Sequence, residues 1–201
     1  MPFADQAHLA RAAHAVDDLL AHLAGDQWMA PTPCTGWSVA RVAQHLVDVN
    51  FEFAQQLDPV GTQTVTSAST SGDLLGRYRR STETLQQALI GAGDPAVDIP
   101  AQMRSRVALR VADLLIHGWD IAVATGIPLH LEEDLCVETL AFAESRSAAL
   151  QRSGEFAPPQ PIDKHAPAID QLAALSGRTP PSPREHVRSP STPNEQPEPH
   201  W

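Results

Sequence analysis

Apolar residues recur at three- and four-residue spacing over most of the chain, the period of a helix with one buried face. In residues 5–24 the stripe is Leu9, Ala13, Val16, Leu20 and Leu23. The stretch GDQWMAPTPCTGW then interrupts it with Gly25, Pro31, Pro33 and Gly36. Ser38 suits the N-cap of a second helix over 39–57, with Val42, Val49 and Phe53 on one side. Asp58, Pro59 and Gly61 end that helix, and TQTVTSASTSG reads as a polar loop. A third helix over 73–91 carries Leu74, Leu75, Tyr78, Leu85 and Leu89, and stops at Gly91, Gly93 and Pro95. VDIPAQM, residues 97–103, reads as extended. A fourth helix over 104–125 ends at Gly126, which suits the left-handed C′ position, with Pro128 as a second stop. A fifth over 132–152 opens on Glu132, Glu133 and Asp134, which favour the positive end of the helix dipole. No segment repeats another.

From Ala157 the pattern changes to a proline-rich strap with one short helical piece, Ala168 to Leu175. Beyond Gly177, prolines 180, 181, 183, 190, 193, 197 and 199 leave nothing to build a core from, which predicts disorder. The expected architecture is all-α: a four-helix bundle with an additional C-terminal helix and strap. It occupies one domain, residues 1–178, followed by a tail, 179–201.

Composition sharpens this picture. Apolar residues make up 42% of the 201, enough for a core, while aromatics are only 5%. Much of the apolar content is alanine, a strong helix former. Lys plus Arg is 14 against 24 Asp plus Glu, a formal net charge of -10. That argues against a nucleic-acid binder working by phosphate neutralisation and against docking on anionic lipid. No apolar run has the length to span a bilayer. MPFADQAHLARAAHAVDD lacks the features of a signal peptide, so a cytoplasmic address is expected. Monomer and homodimer both remain open. Cys34 and Cys136 lie outside any CxxC pair and are expected as free thiols. Cys34 reads as a small half-buried side chain, with mild activation by the nearby helix start as the alternative.

The chemistry concentrates in VADLLIHGWDIAVATG, residues 111–126. Asp113 and His117 stand one turn apart among Leu114, Leu115, Ile116 and Ile121. Burying a carboxylate and an imidazole costs free energy unless each finds a partner. His45, on the second helix, follows Val42 by three residues and precedes Val49 by four, so it points with the apolar stripe. Asp48 and Glu52 are its neighbours on that face. If the second and fourth helices pack together, His45 faces the Asp113/His117 pair. Two imidazoles and a carboxylate leave one coordination position open on zinc, and nickel, iron or manganese suit the same donors. The D-x-x-x-H spacing lacks the glutamate base of HExxH.

By spacing alone, an Asp–His hydrogen bond inside a core is the ordinary explanation. His45 would then bond a backbone carbonyl, Asp113 would pair with Arg110 or Arg106, and Asp120 would cap a neighbouring segment. His8, His14 and His22 read as surface residues. His130, His165, His186 and His200 read as incidental to loops or tail, and Trp37 and Trp119 as packing anchors.

Three stretches together resemble a known family. TPCTGWSVARVAQHLV (32–47), ADLLIHGWDIAVATG (112–126) and IDQLAALSGR (169–178) are similar, in order and at suitable distances, to segments of the DinB-like, mycothiol-dependent maleylpyruvate isomerase superfamily. The resemblance implies a four-helix bundle holding a divalent metal, zinc first, through His45, Asp113 and His117. It also implies mycothiol as a small-molecule thiol cosubstrate, whose metal-bound thiolate attacks a small electrophile in a thiol-transferase or isomerase reaction. Asp113 stands where those isomerases have glutamate, one methylene longer. The isomerases also carry a further C-terminal domain that brings basic residues to the substrate site, where this sequence has a proline-rich tail. Their substrate and isomerase activity are therefore not expected to carry over. Arg106 and Arg110 either meet an anionic ligand, pair with Asp113 or face solvent. A non-catalytic metal- or ligand-binding module, and a structural member that has lost the metal, are the alternatives.

Overall fold

The structure is a computed structural model that describes residues 4–58, 73–91 and 101–181. Among the described residues six α-helices follow one another: α1 Gln6–Ala21, α2 Val39–Leu57, α3 Leu74–Gly91, α4 Ala101–Thr125, α5 Glu133–Ser153 and α6 Ala168–Leu175. A short 3-10 turn, Gln27–Met29, lies between α1 and α2. Among the described residues no strand forms, and a single bridge, Pro31 to Ser38, closes the loop that feeds α2. The all-α expectation therefore holds. No helix of the described residues is long and apolar enough to cross a membrane.

The helix ends follow local chemistry. Ser38 caps α2, its side chain accepting from the Arg41 amide at 3.3 Å. Gly126 takes a left-handed φ of 72° just beyond α4. The predicted extended stretch is corrected in part: Ala101–Met103 are already helical, so α4 begins three residues early. Pro100 disfavours helix for the residue before it, not for those after it, and alanine, glutamine and methionine are good helix formers. Residues 97–100, the whole polar loop 62–72 and the tail from 182 onward lie outside the described residues.

Helices α1–α4 form the bundle. α2 packs most closely on α3 and α1 on α4, with α1 also against α3 and α2 against α4. Leu9, Val16 and Leu20 of α1 meet Leu46 of α2, Tyr78 and Leu85 of α3, and Leu114, Leu115 and Ile121 of α4 in one buried core. Tyr78 donates its hydroxyl to the Ala13 carbonyl at 3.1 Å, so its polar end is satisfied inside. Gly118, unfavourable inside a helix by about 1 kcal/mol against alanine, has a packing reason. A Cβ there would stand 3.2 Å from side-chain atoms of Val16 and Leu129.

α5 and α6 pack on each other and against α4. The strap before α6 returns along it, with the Gln160 amide donating to the Ala174 carbonyl at 2.9 Å. Gly177 closes this turn at φ 95°, so near Ala157 that an added Cβ would come within 2.5 Å of the Ala157 Cβ. Trp119 of α4 donates its indole N–H to Asp170 at 2.7 Å. The strap is thereby pinned to the helix that carries Asp113 and His117.

His8 corrects the surface reading given to it. It is buried, with Nδ1 2.6 Å from Asp5 and Nε2 2.9 Å from Glu138 of α5. Four and eight residues on stand Ala12 and Val16, so His8 shares the buried face. His14 and His22 are exposed as expected. Asp5 is also the N-cap of α1, accepting from the His8 amide at 3.0 Å. Burial alone raises its carboxyl, but the backbone and imidazole bonds of His8 outweigh burial and hold it below the usual value. Asp5→Ala is expected to lower stability by about 1 kcal/mol at neutral pH. A depressed carboxyl contributes fully above its unfolded value and loses that contribution as pH falls through the folded one. Urea melts should therefore show the gap between wild type and Asp5→Ala closing below the carboxylate range. A gap that widens in acid contradicts this assignment.

Candidate metal centre

α2 and α4 run antiparallel along one another. His45 of α2 faces Asp113 of α4, and eleven positions further along α2, Gln56 meets Arg106, seven positions back along α4. The packing brings the two sequence-predicted elements of the site together. His45 Nε2 lies 3.5 Å from Asp113 Oδ1, and His117 Nε2 lies 3.4 Å from the same oxygen. The two imidazole rings stand 5.0 Å apart at 74°. One donor atom from each of His45, Asp113 and His117 falls within 4.8 Å of the others.

These separations are long for hydrogen bonds, whose usual N–O distance is about 2.9 Å. They fit a shared ion better. Donors at about 2.1 Å around a tetrahedral ion stand roughly 3.4 Å from one another. Two imidazoles and one carboxylate also form a donor set that suits a divalent transition ion.

Both Asp113 and His117 are held from behind. Arg110 is almost fully buried and donates Nη1 to Asp113 Oδ2. Its Nε donates to Asn50 Oδ1 and its Nη2 to the Leu46 carbonyl, each at 2.9 Å. Asn50 in turn donates to Ser81 at 3.0 Å and Thr82 at 3.1 Å. Burial alone would raise the Asp113 carboxyl. The His45 contact and the Arg110 charge override it, with His117 close by, and hold Asp113 well below the usual carboxylate range. Oδ2 is thus committed to Arg110, and Oδ1 is left facing both histidines.

His117 Nδ1 lies 2.9 Å from Asp120 Oδ2, and Asp120 is fully buried. Asp120 also accepts from Arg178 of the strap, Nε at 3.2 Å and Nη2 at 2.9 Å. A carboxylate on one ring nitrogen fixes the tautomer and turns the other nitrogen toward an ion. With the proton assigned to Nδ1 by this network, Nε2 offers its lone pair to the centre.

The open alternatives therefore divide. Asp113 pairs with Arg110 and not with Arg106, whose guanidinium bonds Gln56 and lies 4.5 Å from the Phe53 ring centre. Asp120 caps no neighbouring segment; it orients His117 and takes Arg178. Asp48 turns away to Gln44 at 2.6 Å. Trp119 is a packing anchor, 5% exposed. Trp37 is not simply one: its ring stacks on His117 at 5.8 Å and 12°, and meets His45 edge-on at 5.0 Å.

Arg178 and Asn50 carried no signal in residue spacing. Cys34 lies near His117 and Asp120 as well. In this second group both Asp120 oxygens already accept from Arg178, and Oδ2 also meets His117 Nδ1. Burial, with Asp120 and Asp113 nearby, pushes the Cys34 thiol up despite Arg178. That overturns the alternative of an activated thiol, and α2 itself starts only at Val39.

The centre opens on a cavity of about 590 Å³ between α2, α4 and the junction of α5 with the strap. Val49, Phe53, Leu109, Ile116, Leu150 and Phe156 give it apolar walls.

Residues 9–122 match the family model described as mycothiol maleylpyruvate isomerase N-terminal domain. An uncharacterised protein of Mycobacterium tuberculosis, found in two strains, is 30% identical over 178 residues, covering 84% of this chain and 94% of the relative. A second uncharacterised protein of the same organism is 28% identical over 135 residues, covering 56% of this chain and 52% of the relative. No solved structure matches.

Proposed function

Because this chain belongs to the mycothiol maleylpyruvate isomerase N-terminal domain family, we propose that it is a divalent-metal protein, zinc-loaded, that uses mycothiol as the nucleophile toward a small electrophile. The observation that carries this reading is the pair of imidazole nitrogens at 3.4 and 3.5 Å from one carboxylate oxygen. His45, Asp113 and His117 are the proposed ligands. A divalent ion held by them would favour the thiolate form of a coordinated thiol near neutral pH.

The chain's own residues supply the rest. Arg110 occupies Asp113 Oδ2, so Oδ1 is the oxygen that would face an ion. Asp120 and Arg178 keep His117 Nε2 aimed at the centre. Trp37 stacks on His117 and meets His45 edge-on, and apolar side chains flank the place of the nucleophile. After addition to a conjugated carbon, bond rotation and expulsion of the thiol complete an isomerisation, whereas retention of the thiol leaves a conjugate. A reducing cytoplasm suits this chemistry and the two free cysteines.

One observation favours a second reading. Asp113 already has a countercharge in Arg110, so a structural member can stand without an ion. Thermal melts separate the two. A ligand that binds only the folded state adds about 4 kcal/mol at a thousandfold excess over its Kd. Tag-free protein should take up one equivalent of zinc, melt higher with it, and consume mycothiol in the presence of a reactive epoxide, halide or conjugated acid. Melting that ignores both zinc and chelator supports the structural reading. Zinc uptake without mycothiol turnover across the electrophiles supports a binding module.

The backing residues give a graded prediction. Asp120→Asn and Arg178→Gln should each weaken zinc about 10- to 100-fold, the usual effect of losing an outer-shell partner. Competition with a chromophoric chelator measures this, and affinities unchanged in both variants contradict the assigned orientation of His117.

A further inference from the structure

We infer that Arg106 is a specificity residue: the cavity takes an amphiphile with an apolar body and a carboxylate at the end remote from the metal centre. This rests on the reading of the centre as the reactive end. Arg106 lies seven positions before Asp113 on α4, two helical turns or about 10 Å of axial rise. Both residues line the same cavity. Between the two ends the lining is apolar, with Val49 and Phe53 from α2 and Leu109 from α4.

The charges at the two ends differ in kind. Arg110 is committed to Asp113, and Arg178 to Asp120. Arg106 has no carboxylate partner among the described residues. Its guanidinium donates to the neutral amide oxygen of Gln56 and lies over Phe53 at 4.5 Å. It is half-buried and held in place, yet its charge is uncompensated. A guanidinium fork matches a planar carboxylate through two parallel hydrogen bonds, and stacking on Phe53 fixes its plane in advance. Glu52 and Glu155 also line the cavity, and both are exposed to solvent, which screens their charge. Electrophiles of this kind carry their reactive carbon about two helical turns from the carboxylate, across an apolar spacer.

The test uses the full chain, stripped of metal by chelator, with octanoate as probe and 1-octanol and butanoate as controls, read by calorimetry. Octanoate should bind about tenfold or more tightly than 1-octanol, as a charge-assisted bond allows, and butanoate weakly. Arg106→Gln should bring octanoate to within about twofold of 1-octanol and leave 1-octanol unchanged. Arg106→Lys should retain part of the preference. Adding zinc should leave the octanoate preference in place. Equal binding of octanoate and 1-octanol overturns the inference. So does a preference that survives Arg106→Gln, or one that appears only with zinc, because the ion is then what reads the carboxylate. A chain that binds no zinc yet prefers octanoate through Arg106 refutes the metal reading and leaves the carboxylate site at Arg106 standing.

Discussion

His45→Ala should abolish stoichiometric zinc binding while the bundle stays folded. An outer-shell partner is worth about 10- to 100-fold in metal affinity, so loss of a proposed direct ligand should exceed about 100-fold. The fold should tolerate the change, because His45 is 28% exposed at its side chain and faces the cavity. Asp113 keeps its Arg110 partner when the imidazole is gone. His117→Ala is a less clean test, since it strips one partner from Asp120, which is fully buried. Competition against a chromophoric chelator gives the affinity, and circular dichroism checks the helices. Equal zinc stoichiometry and affinity in wild type and His45→Ala would remove His45 from the ligand set and with it the proposed centre.

How much of this was legible in the sequence depends on what kind of information periodicity carries. It identifies which face of a helix is buried, so the all-α fold, the Ser38 cap, the Gly126 stop and the inward direction of His45 could be read directly. It does not say which partner a buried polar group takes. Arg106 and Arg110 are one turn apart on α4, and spacing could not choose between them for Asp113. The choice is made by Asn50 and the Leu46 carbonyl on α2, which receive the other two arms of Arg110. The bond from Arg178 to Asp120 spans 58 residues, so no local pattern announces it. Arg178 also lies beyond the residues 9–122 matched by the family model. His8 stands four and eight residues before Ala12 and Val16, a spacing that puts it on the buried face; only its partner Glu138, 130 residues away on α5, has no local signal.

Arg110→Met should destabilise the metal-free protein by about 3 kcal/mol. Removing one partner of a buried ion pair costs about 3–5 kcal/mol, because the remaining charge stays buried without compensation. Asp113 is 27% exposed at its side chain and opens on the cavity. Water can reach it there, which sets the expectation at the low end of that range. The Leu46 carbonyl and Asn50 Oδ1 lose their Arg110 donors in the same step. The deficit should shrink when zinc is present, since an ion on Oδ1 supplies the countercharge that Arg110 supplied. It should also shrink in Arg110→Met/Asp113→Leu, which removes both charges, and the double-mutant cycle then isolates the pair from the lost packing. Urea denaturation at matched m-values reads each quantity. A loss under about 1 kcal/mol in Arg110→Met would mean that Asp113 is held by something other than Arg110. A loss unaffected by zinc would mean that the ion, if bound, does not touch Asp113.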